Sequence, residues 1–168
     1  MPNRWKPNVT VAAVIERDGR FLLVEEQTAD GLRLNNPAGH LDPGESLLQG
    51  CVRETLEETA HEFRPTALVG VYLSRQPKPQ RGTVAPHTIT YLRFAFCGEL
   101  GKFLAHRALD HGIVRTVWLT ADEIRASVQR HRSPVLLQCM EDYLAGARYP
   151  TGLLHSDLGD ALQADAKG

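Results

Sequence analysis

The feature that restricts this sequence most is a loop rich in glycine and proline that leads directly into a helix. Residues 35–45 contain two prolines and two glycines, a composition typical of irregular backbone. Ser46 is followed three positions later by Gln49, which is the pattern of a capping box at a helix N-terminus. We therefore predict a helix that begins at Ser46 and ends near His61.

The predicted helix carries three glutamates on one face. Glu54, Glu57 and Glu58 are related as i, i+3 and i+4, and Arg53 is the only Lys or Arg in residues 39–63. Like charges at these spacings cost a helix about a few tenths of a kcal/mol per pair. An apolar stripe lies on roughly the opposite side, at Leu48, Val52, Thr55, Leu56 and Thr59. We expect the stripe to anchor the helix on a sheet, and the carboxylates to be held together away from it.

The residues alone leave two interpretations of these carboxylates open. One is a solvated Glu-rich face, and the other is a site for Mg²⁺ or Mn²⁺ bridging a phosphate. The loop favours the metal site, because Gly39 and Gly44 let backbone approach a ligand and supply a carbonyl to it. Glu45 and Arg53 are spaced for a charge-assisted hydrogen bond that joins loop to helix. Gly50 lacks a side chain on the carboxylate side, which leaves room for a bulky ligand.

Other periodic segments predict a sheet with helices packed on it. Strands are predicted at residues 9–15, 21–24, 67–73, 88–96 and 116–119, with the first two forming a hairpin. One helix is predicted from a capping box at Thr120 to His131, and another from an N-cap at Ser133 to Leu144. Residues 75–87 hold three prolines and are expected to form a long exposed loop. This order is typical of an α/β fold with a mixed sheet.

Length and composition exclude several classes of protein. The 168 residues favour one domain, assigned to residues 1–150, followed by a C-terminal tail at 151–168. The net charge of −1 disfavours binding to a nucleic-acid polymer through bulk charge. The longest apolar run, residues 11–15, is too short for a membrane span or a secretory signal. Three cysteines without CxxC spacing suggest no disulfide framework. We expect a cytoplasmic monomer or homodimer.

The loop and helix together resemble a known pattern, the Nudix box. The box reads Gly-x5-Glu-x7-Arg-Glu-U-x-Glu-Glu-x-Gly-U, with U a bulky aliphatic residue, and the chain matches it at Gly39, Glu45, Arg53, Glu54, Glu57 and Glu58. The departures are Thr55, Ala60 and His61. Because alanine adopts a left-handed backbone less easily than glycine, the helix exit is expected to differ from the family's.

The resemblance extends to a branch of that family, the NudJ-type phosphatases. It is carried by residues 36–41, 91–94, 117–118, 121–124, 132–134 and 148–150. It implies an α/β/α Nudix fold with a mixed β-sheet. It also implies Mg²⁺-dependent removal of terminal phosphate from nucleoside tri- and diphosphates and from hydroxymethylpyrimidine or thiamine pyrophosphates. The segment at 75–87 is longer than expected for the branch, so the chemistry transfers more directly than the substrate.

The resemblance implies roles for the box residues. Glu54, Glu57 and Glu58, with the Gly39 carbonyl, are expected to hold one to three Mg²⁺ ions, with Mn²⁺ as an alternative. Glu54 is the expected proton acceptor for the attacking water, and a pure ligand role for it stays open. Arg53 and Glu45 complete the expected catalytic set.

Four residues are candidate contacts to the substrate, namely Arg93, His40, Arg33 and Arg75. Arg93 shares a strand face with Tyr91, which suits phosphate binding, and a surface salt bridge is the competing interpretation. Weaker candidates are Lys78 and Arg81 as loop cations, Asp110 and His111 as metal ligands, and Trp5 and Trp118 as ring contacts. Trp118 is expected in the core.

Two other functions compete with a terminal phosphatase. One is a Nudix pyrophosphatase that cleaves nucleoside-diphosphate-linked compounds such as ADP-ribose. The other is a catalytically weak module that keeps the fold for binding or regulation. The intact carboxylate cluster argues against a mere binding module, because such a module has no need to maintain neighbouring like charges.

Overall fold

Nine strands and three helices form the described part of the chain. A computed structural model describes residues 4–78, 80, 82–83 and 85–158. The strands are β1 (Asn8–Val14), β2 (Glu16–Arg17), β3 (Arg20–Thr28), β4 (Gly31–Asn35), β5 (Ala38–His40), β6 (His61–Lys78), β7 (His87–Phe103), β8 (Ile113–Thr120) and β9 (Tyr149–Pro150). The helices are α1 (Leu47–Thr59), α2 (Ala121–Ala126) and α3 (Val135–Leu144), with 3-10 turns at Val128–Arg130 and Thr151–Leu153.

The strands form two sheets. The larger sheet has the order β5-β1-β7-β6-β9. In this sheet β1 runs parallel to β7, and all other neighbouring strands are antiparallel. The smaller sheet has the order β2-β3-β4, with β8 paired to β3. The predicted mixed sheet is therefore confirmed. In the described residues, no helix combines the length and the apolar character that crossing a membrane requires.

The larger sheet is covered on both faces, which makes the α/β/α sandwich that the family resemblance implies. Successive residues of β1 point to opposite faces. Val11 and Ala13 join a cluster beneath α1, whereas Ala12 and Val14 join a cluster beneath α2 and α3. All four are buried, which explains why this strand reads as a continuous apolar run without polar alternation.

The first predicted hairpin is present, but β1 is not one of its arms. Glu16 pairs with Phe21 through β2 and β3, and the turn between the strands uses Asp18 and Gly19, both with positive φ. β1 turns away into the larger sheet, where β5 and β7 are its partners. The local turn chemistry predicted the hairpin, whereas the change of sheet depends on tertiary pairing.

The predicted exposed loop at residues 75–87 is wrong at both ends. The ladder between β6 and β7 continues from Arg75 opposite Thr90 to Lys78 opposite His87, so residues 75–78 and 87 belong to the arms of a β-hairpin. Proline has no backbone N–H to donate to a neighbouring strand. Pro77 is tolerated because β9, the outer neighbour of β6, pairs with it only at residues 67–68, so no described strand pairs with the outer edge at Pro77.

The helix ends agree with the capping predictions in part. Both capping boxes form, at Ser46 for α1 and at Thr120 for α2. Ala60 ends α1 with φ 55 and ψ 22, so alanine takes the left-handed conformation that the family's glycine position calls for. α2 ends at Ala126, short of the predicted His131. Pro134, rather than Ser133, is the N-cap of α3.

Ordered contacts continue beyond Pro150, where the sequence placed the start of a tail. Tyr149 pairs with Leu68 in the larger sheet, and the 3-10 turn at Thr151–Leu153 follows directly. Leu154 packs against the cluster beneath α1. Residues 159–168 lie outside the described part of the chain.

A buried carboxylate joins three elements of the smaller sheet. Glu25 of β3 is 4% exposed. It accepts a 2.6 Å hydrogen bond from Nε of Arg115 on β8 and another from Arg130 in the 3-10 turn after α2. The Arg115 hydrogen bond is the main cause that lowers the pKa of Glu25 below its ordinary value of 4.5.

We expect Glu25→Gln to lower the free energy of unfolding at pH 7 by about 1 to 3 kcal/mol, because two arginines lose their charged acceptor. The pKa of Glu25 is lower in the folded than in the unfolded chain. The charged carboxylate therefore stabilises the fold fully at pH values above the ordinary pKa of 4.5, and this stabilisation is lost as the pH falls through the folded pKa. Urea denaturation at pH 7 and pH 3 measures this, with a smaller difference between wild type and variant at pH 3.

The matched control is Glu99→Gln, because Glu99 pairs with Arg64 on the surface, where both side chains are about two-thirds exposed. Such a pair contributes about 0 to 1 kcal/mol. Equal destabilisation by the two variants would contradict the assigned role of Glu25.

Candidate active site

A cavity of about 350 Å³ opens between the larger sheet, the loop before α1 and the start of α3. Its floor is formed by β1, β6 and β7, and its walls by α1, β3, β4 and the residues before β8. The cavity is lined by Thr10, Glu26, Asn35, Ala38, Gly39, His40, Asp42, Glu54, Glu58, Ser74, Gln76, Tyr91, Arg93, Asp110, Arg132, Ser133 and Val135. The loop glycine and two box carboxylates therefore meet at one cavity.

Arg53 holds the loop and the helix together. Its Nε and Nη2 donate to the two oxygens of Glu45, at 3.0 and 2.7 Å. Its Nη1 donates to Glu54 at 2.8 Å and to Glu57 at 3.0 Å, and Nη2 also donates to the backbone oxygen of His40 at 2.9 Å. The predicted bond between Glu45 and Arg53 is thus confirmed, and one guanidinium orients three carboxylates.

Two of the three helix glutamates are withdrawn from water. Burial raises the pKa of Glu54, and the ion pair with Arg53 only partly opposes it. Burial also raises the pKa of Glu58 to about 8, although the backbone N–H of Ala38 donates to its Oε2 at 2.8 Å. Titratable groups perturbed in this way concentrate at functional sites.

The sequence predicted that the carboxylates lie on the side of α1 away from the sheet, and this prediction is wrong. Glu54 is 8% exposed and belongs to the buried face of α1. That face holds Cys51 and Thr55, whereas Val52 and Leu56 of the predicted stripe are only half-buried. The loop before α1 and strand β5 pack against α1. Polar side chains of α1 therefore occupy part of its buried face.

Gly39 and Gly50 serve close packing between the loop and α1. A methyl group at Gly39 would overlap the carboxylate of Glu54, so only glycine lets the loop approach the helix there. A Cβ at Gly50 would lie 2.8 Å from Oε1 of Glu45 and 3.1 Å from Cδ1 of Leu41. The space at Gly50 is therefore taken by this chain's own side chains, which corrects the expectation that a ligand fills it.

The site offers the oxygen donors that Mg²⁺ and Mn²⁺ prefer. In the described residues, no three acidic, histidine or cysteine side chains converge closely enough to hold an ion by themselves. Arg53 bonds to Oε1 of Glu54 and Oε2 of Glu57. A cation would fit the remaining oxygens, which belong to Glu58, Glu54 and the Gly39 backbone. Its positive charge would offset the cost of burying the two carboxylates, which is what raises their pKa values.

The predicted substrate contacts divide into two pairs. Arg93 and His40 line the cavity, and Arg93 lies 3.5 Å from Oδ1 of Asn35. Arg75 is exposed, because Ser74 and Gln76 line the cavity and strand alternation turns Arg75 to the opposite face. Arg33 is absent from the lining and donates to the backbone oxygen of Leu32.

The weaker candidates are also placed. Asp110 lines the cavity and its N–H donates to the backbone oxygen of Glu57, whereas His111 is exposed. Trp118 packs against the cluster beneath α1, as expected. Trp5 is exposed and outside the lining. Lys78 ends β6, and Arg81 lies outside the described residues.

Sequence reasoning missed several lining residues, namely Thr10, Glu26, Asn35 and Arg132. Glu26 lies on the face of β3 opposite Glu25, and its Oε1 is 3.8 Å from Nε of Arg132. Two adjacent acids at the end of an apolar strand were a usable signal for Glu26, because one of them must face inward. Thr10, Asn35 and Arg132 carry no such local signal, since only the fold brings them to the cavity.

Comparisons with known proteins agree with this geometry. The NUDIX domain profile matches residues 5–139. Phosphatase NudJ of Escherichia coli (strain K12) is 34% identical over 151 residues, which cover 89% of this chain and 92% of that protein.

Solved structures show the same fold. A NUDIX hydrolase from Nitrosomonas europaea is 51% identical, with a TM-score of 0.82 over 92% of this chain and 100% of that one. An ADP-ribose pyrophosphatase from Streptococcus suis is 19% identical, with a TM-score of 0.55 over 82% of this chain and 92% of that one, and this similarity concerns the fold alone.

Proposed function

The chain belongs to the NUDIX family and is a hydrolase of phosphoanhydrides, and from this premise we propose that it removes the terminal phosphate of its substrates with the help of Mg²⁺. The proposed substrates are nucleoside tri- and diphosphates and the pyrophosphates of thiamine or its pyrimidine precursor. The similarity to a phosphatase over nearly the whole chain supports this activity.

The observation that carries the proposal is the pair of buried carboxylates at one end of a cavity that also holds an arginine. Glu54 and Glu58 line the cavity together with Gly39, and Arg93 lies on its floor. Burial raises the pKa of both carboxyls, so their charged forms are poorly compensated without a cation. A phosphate group bridging a cation and Arg93 would be complementary to this arrangement.

In the proposed reaction, Glu57, Glu58 and the Gly39 backbone would hold Mg²⁺, with Mn²⁺ as a substitute, and Glu54 would join them where it acts as a ligand. The bound ion supplies positive charge to the phosphate oxygens and makes water more nucleophilic. Glu54 would accept a proton from the attacking water at Oε2, because Arg53 bonds to its Oε1, and in the alternative role of a pure ligand it would bind the ion through that same Oε2. Arg53 keeps the carboxylates in place, and Arg93 binds a phosphate oxygen.

The proposed setting is the cytoplasm, with a small molecule as the partner. Cys51, Cys97 and Cys139 are free and buried. Free thiols are usual in a reducing compartment, where disulfides are rare.

We expect the purified protein to release orthophosphate from CTP, ADP and thiamine pyrophosphate in the presence of Mg²⁺. EDTA should abolish release, and adding Mg²⁺ or Mn²⁺ in excess of EDTA should restore it, because the chelator removes the ion and leaves the fold intact. A colorimetric phosphate assay with chromatography of the nucleotide products measures this.

ADP-ribose is the discriminating control, because its cleavage yields two monophosphates and no orthophosphate. Turnover of ADP-ribose without orthophosphate release from the other compounds would replace the terminal phosphatase by a pyrophosphatase. Absence of metal-dependent turnover on the whole panel would leave only a binding module.

A further inference from the structure

The cavity has two chemically different ends. One end carries the carboxylates of Glu54, Glu58 and Asp110. The other end lies on the arm formed by β6 and β7, where the uncharged side chains of Ser74, Gln76 and Tyr91 line it, and it is called the neutral end after them. Lys78 lies outside the lining and donates to Oε1 of Gln76 at 3.4 Å. Arg93 lies two residues beyond Tyr91 on the same strand face, between the two ends.

Two rings meet at the neutral end. The ring centroids of His40 and Tyr91 are 6.2 Å apart, with their planes tilted by 50°. Within the lining formed by the described residues, these are the aromatic side chains. Trp118 is committed elsewhere, because it packs in the core with Arg17 above its ring. A planar group entering this end therefore meets Tyr91 and His40.

Neutral hydrogen-bonding groups surround these rings. Ser74 stands directly opposite Tyr91 in the ladder of β6 and β7, and Gln76 follows on the same face. Thr10 pairs with His40 on one side and with Arg93 on the other, so it lies between the rings and Arg93.

The hydroxyl of Thr10 has no partner in the folded chain. The residue is 5% exposed, and its Oγ1 is buried without a hydrogen bond. A buried polar group left open in this way is costly unless a ligand or water completes it. Together with the amide of Gln76 and the hydroxyl of Ser74, it suits a ring whose edge carries hydrogen-bonding atoms.

We infer that the neutral end of the cavity binds the planar heterocycle of the substrate, stacked on Tyr91 beside His40, with its phosphates directed along β7 towards Arg93 and the box carboxylates. The inference rests on the proposed function and adds the residues that bind the ring and the orientation of the substrate in the cavity. A pyrimidine or purine carries both a π face for Tyr91 and polar edge atoms for the neutral side chains. A phosphorylated aliphatic alcohol carries neither.

The experiment compares a substrate that has a ring with one that has none. CTP and inorganic tripolyphosphate share the anhydride and differ in the ring. Removing a stacked aromatic side chain costs about 1 to 3 kcal/mol per base, which is about a fivefold to 150-fold change. We expect Tyr91→Leu to lower the ratio of kcat/KM for CTP to that for tripolyphosphate by this factor.

Two further variants control the result. Tyr91→Phe keeps the ring and should keep the ratio, which separates stacking from a role of the hydroxyl. His40→Ala provides a second test should Tyr91→Leu fail to fold, because the His40 backbone oxygen that Arg53 binds is retained. An unchanged ratio in the folded Leu variant overturns the inference while the hydrolase assignment stands.

Equilibrium binding separates this inference from the proposed function. Cytidine monophosphate titrated calorimetrically into the wild type should bind, and binding should weaken by about fivefold or more in Tyr91→Leu. If the wild type hydrolyses none of the panel, the proposed function fails and this titration decides the ring site. Equal binding by the wild type and Tyr91→Leu would overturn the ring site.

Discussion

The Glu58→Gln variant is expected to keep its fold and lose about 10²- to 10⁴-fold in kcat on phosphoanhydrides. Glutamine retains the oxygen that accepts the N–H of Ala38, so the local backbone contact survives. It removes the negative charge that we assign to cation binding at the buried end of the cavity. Steady-state kinetics with Mg²⁺, together with a thermal unfolding transition, measure the two effects on one preparation.

Glu57→Gln and Glu62→Gln show whether the loss depends on position. Glu57 bonds to Arg53 through Oε2 and lies outside the cavity lining, and its variant should lose turnover because it removes a proposed ligand of the cation and disturbs the carboxylate cluster. Glu62 is exposed two residues after α1 ends at Ala60, and its variant should behave as wild type. Retained turnover in both Glu57→Gln and Glu58→Gln would contradict the assignment of the carboxylates.

The second large effect is expected for Arg53→Ala. The change leaves Glu45, Glu54, Glu57 and the His40 carbonyl without their shared donor. Removing one member of a partly buried ionic network costs about 2 to 4 kcal/mol of the free energy of unfolding. Since the same guanidinium orients the carboxylates, kcat should also fall by about 10²-fold or more. Urea denaturation and initial-rate kinetics measure the two losses.

Arg53→Lys is the informative control for that prediction. Lysine keeps the positive charge but cannot reach three carboxylates and a carbonyl with a planar fork of donors. We expect it to recover part of the stability and little of the turnover. Full turnover in the lysine variant would mean that charge alone, rather than the orientation of the carboxylates, is what the reaction requires.

Local sequence patterns predicted the parts of the fold that depend on neighbours in the chain. The capping boxes at Ser46 and Thr120 form because each needs only residues within one helical turn. The bond between Glu45 and Arg53 likewise follows from a short loop docked on its own helix. The Nudix-box residues could be identified from the sequence for the same reason, because they lie in one short loop and the helix that follows it.

Cross-strand pairing decided what the sequence could not predict. Three prolines made residues 75–87 look like a loop, yet the ladder with β7 extends β6 to Lys78. That ladder also sets which face is used, so Ser74 and Gln76 line the cavity while Arg75 faces away. Thr10 and Asn35 were missed because the segments that bring them to the cavity meet only in the folded chain.

The most direct test of the central claim is Mn²⁺ binding followed by electron paramagnetic resonance, with a non-hydrolysable analogue of CTP present. The account predicts that the wild type binds Mn²⁺ and that Glu58→Gln weakens binding by about tenfold or more, because a buried carboxylate ligand is lost. Absence of Mn²⁺ binding by the wild type, or equal binding by the folded Glu58→Gln variant, would contradict it.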